Sequence, residues 1–247
     1  MGPFPTQLNF GPFHFYLYGL GLGVAATSAF YYAKRRLAKA GLATDPFWIF
    51  ATGLLVSGLV GARLAHLLTN WSYYRHNPGQ WLALWNGGLA SFGGIALAFP
   101  TGLILRRRLW PQVSPAQFLD RIVPALLVGW AVGRVLGPQF MYAGGGHLTH
   151  QWFGVYYLGQ MGKRVPVPLI QGMEDAAIWL GAIALERKNF GAGFVSGFAI
   201  FTWGLVRSLD EYLLLGQNSH SGSIGVQISG IVLALLGALL MFRSARN

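Results

Sequence analysis

Apolar residues run through this chain in long, nearly uncharged segments that short polar stretches separate. Each segment is about 20 residues long, which is the length a helix needs to cross a hydrocarbon core of about 30 Å. The pattern therefore predicts an all-α integral membrane protein with about seven transmembrane helices. The predicted spans cover residues 13–33, 46–69, 87–105, 122–142, 166–185, 191–215 and 222–242.

The organisation between the spans is simple. The first apolar run lacks a basic segment before it, so it is predicted to be a retained span and not a cleaved signal peptide. Neither a long linker nor a repeat at a fixed period divides the chain, which predicts a single transmembrane domain over residues 1–247. The longest segments outside the spans, residues 70–86 and 143–165, are rich in Trp and Tyr, which favour the headgroup layer.

Composition and charge support the membrane prediction. Only 10% of the residues are charged, against about a quarter in soluble domains. The net charge of +11 comes from clusters that follow spans one, three, five and seven. Because basic residues favour cytoplasmic loops, this distribution predicts an outer N-terminus, a cytoplasmic C-terminus and outer positions for residues 70–86 and 143–165. The basic excess therefore points to membrane orientation and anionic lipid, and it argues against a nucleic-acid partner. The clusters are Lys34–Lys39, Arg106–Arg108, Arg187 with Lys188, and Arg243 with Arg246.

The chain has no cysteine. This excludes structural disulfides, thiolate metal sites and a cysteine nucleophile supplied by the protein. We predict neither a metal site nor a cofactor.

Four arginines lie inside or at the ends of the predicted spans: Arg63, Arg121, Arg134 and Arg207. An arginine in hydrocarbon costs at least about 2.5 kcal/mol, so those that persist usually face a cavity, a partner or a polar ligand. Arg121 begins a span and is best explained as an interfacial residue. Arg207 and Glu211 are four residues apart, which predicts an ion pair on one helical face. A guanidinium can also bind two oxygens of one phosphate at the same time. Phospholipid headgroups are the most accessible source of phosphate for a protein in a membrane.

Several motifs occur in a fixed order along the chain: GARLAHLL, WNGGLASFGG, Gly133-Arg134, PVPLIQGMEDA and FTWGLVRSLDEYL. This order resembles that of the prolipoprotein diacylglyceryl transferase family, seven-span enzymes of the bacterial inner membrane, from about residue 11 to residue 243. The resemblance implies transfer of diacylglyceryl from phosphatidylglycerol to the lipobox cysteine of a preprolipoprotein. The substrate supplies the thiol, so the lack of cysteine in this chain agrees with that chemistry.

The resemblance also assigns residues. It implies catalytic roles for Arg134, Arg207 and Glu211. It implies substrate binding by seven further residues: Tyr18, Arg63, Asn86, Gly87, Gly88, Ser91 and Gln227.

The chain departs from the family pattern where protons would be handled. Phe92 stands where the family has a histidine, and Ile170 and Gln171 stand where it has a tyrosine and a glutamate. His147 and His150, in the predicted outer segment, are candidate bases in place of the lost histidine.

Three hypotheses remain open at the level of sequence. The first is a divergent diacylglyceryl transferase. The second is a non-catalytic, phospholipid-binding relative that acts as a structural or assembly subunit of a larger membrane complex. The third, a small-solute channel or transporter, rests only on the charges and broken helices, because the two halves show no matching interrupted segments.

Overall fold

The computed structural model describes residues 3–10, 13–83, 88, 90–188, 190–211 and 222–245. The described chain is mostly helical, as predicted. It also contains two small antiparallel hairpins, which corrects the prediction of a purely α protein. The helices are α1 (Leu17–Lys39), α2 (Phe47–Thr69), α3 (Trp71–Tyr74), α4 (Ser91–Leu109), α5 (Pro115–Leu136), α6 (Val167–Glu186), α7 (Phe194–Asp210) and α8 (Gly222–Ser244). The strands are β1 (Gln7–Phe10), β2 (Phe13–Tyr16), β3 (Val155–Tyr156) and β4 (Lys163–Arg164).

Each predicted span overlaps one long helix. Among the described residues, two helices are long and apolar enough to cross a membrane by length and composition, Phe47–Thr69 and Ile224–Ser244. The number of crossings and their orientation therefore stay predictions.

The predicted boundaries differ from the helices at several spans, and two of these differences have a clear cause. Residues 13–16 belong to β2, which pairs with β1 so that Gln7 lies opposite Tyr16. Helix α5, which corresponds to the fourth predicted span, begins at Pro115 and ends at Leu136, several residues earlier at each end than predicted. A reciprocal cap explains why α5 begins early. The backbone N–H of Ser114 donates to Gln117 Oε1 at 3.1 Å, and the backbone N–H of Gln117 donates to Ser114 Oγ at 3.2 Å. Hydropathy alone does not detect this polar first turn.

The described chain divides into two compact units, residues 37–118 and residues 1–36 with 119–247. In the first unit, α2 packs closely on α4, because Gly61 and Gly93 leave room for backbone contact. Aromatic rings of Phe50, Trp110 and Phe118 pack together at centroid distances of 5.3–5.6 Å.

The second unit has a core between α5, α6 and α7, and α8 packs against α7. Its buried core residues are Val123, Leu127, Ile178, Ala182, Val195 and Ala199. Along α7 and α8, Gly204 faces the backbone of Gly230, and Gly237 faces the backbone of Gly197 and Phe201. Small residues at this spacing let two helices approach closely, which is a common packing mode in membranes.

We expect Gly204→Leu to disrupt the α7–α8 pair. A side chain at this position would meet the backbone of Gly230 and Ala234, which cannot move aside as a flexible side chain would. The expected loss of stability is about 3 kcal/mol or more, at or above the usual cost of overpacking. Thermal unfolding in detergent measures it. The matched control is Gly225→Leu on α8, where nothing lies within 4 Å of the added carbon; equal losses in both variants would contradict the packing argument.

Asp120 on α5 caps the start of α7. Its carboxylate accepts hydrogen bonds from the backbone N–H of Gly193 at 2.6 Å and of Ser196 at 2.8 Å, and from Ser196 Oγ at 2.7 Å. Arg36 of α1 contacts the same region. Its guanidinium donates to the backbone carbonyls of Asp120 and Arg121 on α5 and forms an ion pair with the Glu186 carboxylate on α6. The basic cluster at the end of α1 thus contains one buried structural arginine.

We expect Asp120→Ala to lower stability by about 2 kcal/mol, because it removes the cap and leaves helix N–H groups without their acceptor. Thermal unfolding in detergent would show the loss. Asp45→Ala, which changes an exposed aspartate in the loop between α1 and α2, is expected to change stability little. A loss as large at Asp45 as at Asp120 would refute the capping role.

Candidate functional site

A cluster of buried polar side chains joins α6 to α7. Arg207 donates to Asp210 Oδ2 at 2.8 Å and to Asp175 Oδ1 at 2.6 Å. It also donates to the carbonyl of Gln171 at 3.2 Å and lies 3.8 Å from Glu174 Oε2. The amide of Gln171 donates to Asp210 Oδ2 at 3.0 Å. We call these five residues, Gln171, Glu174, Asp175, Arg207 and Asp210, the Arg207 cluster.

Helical spacing explains how the cluster forms. Gln171 and Asp175 are four residues apart on α6, and Glu174 follows Gln171 by three, so all three lie near one face. Arg207 and Asp210 are three apart on α7 and share a face in the same way. One turn before Arg207, the Trp203 ring lies 5.6 Å from the guanidinium carbon, which adds a cation–π contact.

Burial makes these charges energetically important. Asp175 is fully buried, and Arg207 and Asp210 are 5% and 4% exposed. Within the described part of the chain, the buried Arg207 Nε has no hydrogen-bond partner. Buried polar groups are nearly always paired in proteins, so this N–H is a donor that a further polar group could use.

Arg134, at the end of α5, lies beside this cluster. A Cβ added at Gly172 of α6 would lie 3.7 Å from Arg134 Cβ and closer still to Ala131 and Val135, so a larger residue there would press against α5. The Arg134 guanidinium lies close enough to Arg207, Asp175 and Asp210 for electrostatic interaction, and the Tyr18 hydroxyl of α1 is also nearby. Tyr18 also lies near Gly137, directly after α5. The structure therefore brings together Tyr18, Arg134 and Arg207, three of the residues that the sequence assigned to the site.

The two arginines differ in what surrounds them. Arg207 is held by two aspartates, whereas Arg134 is half-buried and makes no hydrogen bond or ion pair with any residue in the described part of the chain. A half-buried guanidinium with available donors suits a phosphate or carboxylate ligand. Among the described residues of this region, Arg134 is thus the cation whose guanidinium no protein group holds.

The ion pairs that the structure shows for Arg207 are with acidic residues other than Glu211, so the pairing with Glu211 stays a prediction. In the described chain these partners are Asp175, Asp210 and, at a longer distance, Glu174. Glu211 directly follows Asp210 and is buried. The neighbouring helix α6 supplies a carboxylate that spacing along α7 could not reveal.

Arg63 lies in the other compact unit and binds backbone. Its guanidinium donates to the carbonyls of Trp81 at 2.9 Å, Gly88 at 2.9 Å and Gln80 at 2.5 Å. These bonds fix the backbone of Gln80, Trp81 and Gly88 against α2. A role of Arg63 and Gly88 in substrate binding stays a prediction, and the geometry gives Arg63 a structural role in addition.

The remaining predicted residues are more scattered. Gln227 lies on α8, and its carbonyl accepts from Ser208 Oγ, one residue after Arg207, at 3.0 Å. His147 and His150 are exposed in the segment between α5 and α6. Asn86, Gly87 and the side chains of Ser91 and Phe92 lie outside the described residues.

Sequence reasoning missed Asp175, Asp210 and the buried Arg36. A signal existed for Asp175, because it is an acidic residue inside predicted span five, where a buried partner is the usual requirement. Arg36 gave no such signal, since it lies within a cluster of basic residues that positive-inside counting treats as solvated.

Long apolar helices around a buried ionic cluster and a half-buried cation are typical of membrane proteins that handle a charged ligand. The comparison with known families makes this class specific. The sequence profile of the prolipoprotein diacylglyceryl transferase family matches residues 5–243. The chain belongs to this family, which is membrane-bound.

Curated relatives agree with the family. Two proteins named phosphatidylglycerol–prolipoprotein diacylglyceryl transferase, from Staphylococcus aureus strains bovine RF122 / ET3-1 and MRSA252, are 32% identical over 132 residues, which is 53% of this chain and 46% of each relative. The protein of the same name from strain JH9 is 31% identical over the same length. The chain thus spans less than half the length of the curated relatives it matches.

Proposed function

We propose that this protein transfers diacylglyceryl from phosphatidylglycerol to the lipobox cysteine of preprolipoproteins. It does so as a multi-pass protein of the bacterial inner membrane, with its N-terminus outside. The observation that carries the proposal is the half-buried Arg134 beside the Arg207 cluster, in a chain of this family. The guanidinium is suited to the phosphate of the lipid substrate.

The reaction requires stabilisation of the negative charge that develops on the leaving phosphate oxygen. The sulfur of the substrate thiolate forms a bond to the glyceryl carbon, the bond from that carbon to the phosphate oxygen breaks, and glycerol phosphate leaves with the electron pair. Negative charge grows on the leaving oxygen, and a donor placed there lowers the barrier. Arg134 is the group we assign to this role.

Arg207 acts with Arg134 from a fixed position. Asp175 and Asp210 hold its guanidinium, so its charge contributes to the field at the site without a large movement. Glu211, Tyr18 and Gln227 complete the proposed site around the headgroup. The thiol proton needs an acceptor, and His147 and His150 are our candidates.

The direct test is a transfer assay. Purified protein is placed in vesicles with phosphatidylglycerol and a synthetic lipobox peptide, and mass spectrometry measures peptide that has gained diacylglyceryl. We expect product with phosphatidylglycerol and none with phosphatidylcholine or with a peptide whose cysteine is replaced by serine. Absence of product in all vesicles would overturn the proposal.

A second candidate function is phospholipid binding without transfer, as a subunit of a larger membrane complex. It is favoured by the two aspartates that hold Arg207 in place and by Gln171, a neutral residue whose amide binds Asp210 where the family has a glutamate. Phosphatidylglycerol that copurifies with the protein, together with a failed transfer assay, would support this candidate over the enzyme.

A further inference from the structure

The segment between α5 and α6 folds as a small, ordered hairpin. β3 pairs with β4, and Leu148 forms an isolated bridge to Arg164. Gly159 and Gly162 in the turn have φ of 81° and 73°, which glycine adopts without strain. We call residues 147–164 the loop hairpin.

Buried contacts hold the loop hairpin in place. The hydroxyl of Tyr157 donates to Gln139 Oε1 at 2.6 Å. Burial raises the pKa of Tyr157 to about 12, although the hydrogen bond to Gln139 opposes the shift, so the hydroxyl stays protonated at neutral pH. The side chain of Gln160 binds both the N–H and the carbonyl of Gly145, at 2.9 and 3.1 Å. The hairpin is therefore a fixed platform.

Large apolar side chains of the loop hairpin are exposed to solvent. Trp152 is 89% exposed and Met161 87% exposed. Leu148, which forms the bridge to Arg164, is also exposed. Exposed groups of large apolar residues usually mark a surface that another molecule covers.

A basic groove lies on the same hairpin. A cavity of about 550 Å³ is lined mainly by six side chains: Leu148, His150, Tyr156, Met161, Lys163 and Arg164. Arg164 Nε–H donates to the Met161 carbonyl at 3.1 Å, which fixes the base of the guanidinium. The sequence has no acidic residue from 121 to 173, so the two cations have no carboxylate nearby along the chain.

We propose that the loop hairpin docks onto anionic phospholipid of the outer leaflet, with Lys163 and Arg164 binding headgroup phosphate. Met161, Leu148 and Trp152 then enter the interfacial layer, where aromatic side chains are favoured. Charge complementarity selects this occupant, because a groove with two cations, a histidine and apolar walls matches a phosphate joined to a lipid. The surface is separate from the Arg134 site, and its docking does not depend on transfer activity.

A single fluorescent label tests the docking. Because the chain has no cysteine, Met161→Cys creates one site for a polarity-sensitive fluorophore in the complete protein. The protein is placed in nanodiscs, which leave both faces open to solvent, made of phosphatidylcholine with or without phosphatidylglycerol. Quenching by iodide reports water, and quenching by lipids brominated high on the acyl chain reports the interface.

We expect phosphatidylglycerol to lower iodide quenching and raise bromolipid quenching several-fold. Lys163→Gln and Arg164→Gln should each weaken docking about fivefold, since one basic side chain near an anionic surface contributes about that factor. The matched control is Lys39→Gln in the same labelled protein. It removes a basic residue outside the loop hairpin, at the end of α1, and should leave the response of the label at position 161 unchanged.

Three outcomes would overturn the proposal. A label quenched by iodide equally in both lipids would show that the hairpin does not dock. A label that bromolipids quench equally with and without phosphatidylglycerol would show that charge does not direct docking. A label shielded only when a lipobox peptide is added would show that the groove binds polypeptide and not lipid. Because Met161 is largely exposed, the labelled variant should fold normally, and thermal unfolding verifies this.

Discussion

Replacing Arg134 by alanine is expected to lower the rate of diacylglyceryl transfer by about 100- to 1000-fold, the usual effect of removing a donor aimed at developing charge. Among the described residues, this guanidinium is the one in the second unit's charged region that no protein group holds. Arg134→Lys should restore only part of the rate, because an ammonium group cannot bind two phosphate oxygens in a plane. The transfer assay with the lipobox peptide measures both variants.

Measurements of thermal stability distinguish a catalytic role of Arg134 from a structural role. Because Arg134 makes no ion pair with the described residues, its loss should leave the thermal unfolding midpoint nearly unchanged. Arg121→Ala is the matched control, since Arg121 is an exposed arginine on the same helix, and it should retain transfer. Full activity of Arg134→Ala would remove Arg134 from the mechanism even if the protein is an active transferase.

Replacing Asp175 by alanine is expected to destabilise the protein by about 3–5 kcal/mol, the usual cost of leaving a buried charge without its partner. Asp175 is fully buried, and its Oδ1 accepts a hydrogen bond from Arg207 Nη2 at 2.6 Å. Without it, Arg207 keeps Asp210 but loses the carboxylate that ties α7 to α6. Thermal or denaturant unfolding in detergent measures the loss.

A double-mutant cycle measures the interaction free energy between Asp175 and Arg207. Arg207→Met in the Asp175→Ala background should cost clearly less than Arg207→Met alone, because the buried charge that had lost its partner is then also removed. Additive losses would contradict a direct interaction. Asp45→Ala, an exposed aspartate, should show neither the loss nor the coupling.

The sequence predicted the helices well because a long apolar segment has few alternatives to a helix when its backbone must pair internally. Each predicted span contains a helix, and α2 agrees within one residue of its predicted bounds. The predictions failed where polar chemistry sets the boundary, as at the Ser114–Gln117 cap and at the β1–β2 hairpin. Both depend on specific hydrogen bonds, which mean hydropathy does not record.

By itself, the sequence determined that this chain is apolar and helical, that its basic residues flank its helices and that its motif order is that of one enzyme family. It also singled out Arg134 and Arg207, because charge inside an apolar segment is costly wherever the helices pack. Only the tertiary structure decided how the two differ. Asp175, 32 residues before Arg207, neutralises one guanidinium while the other stays available, because contacts between helices depend on which faces meet, and the spacing along a single helix does not contain that information.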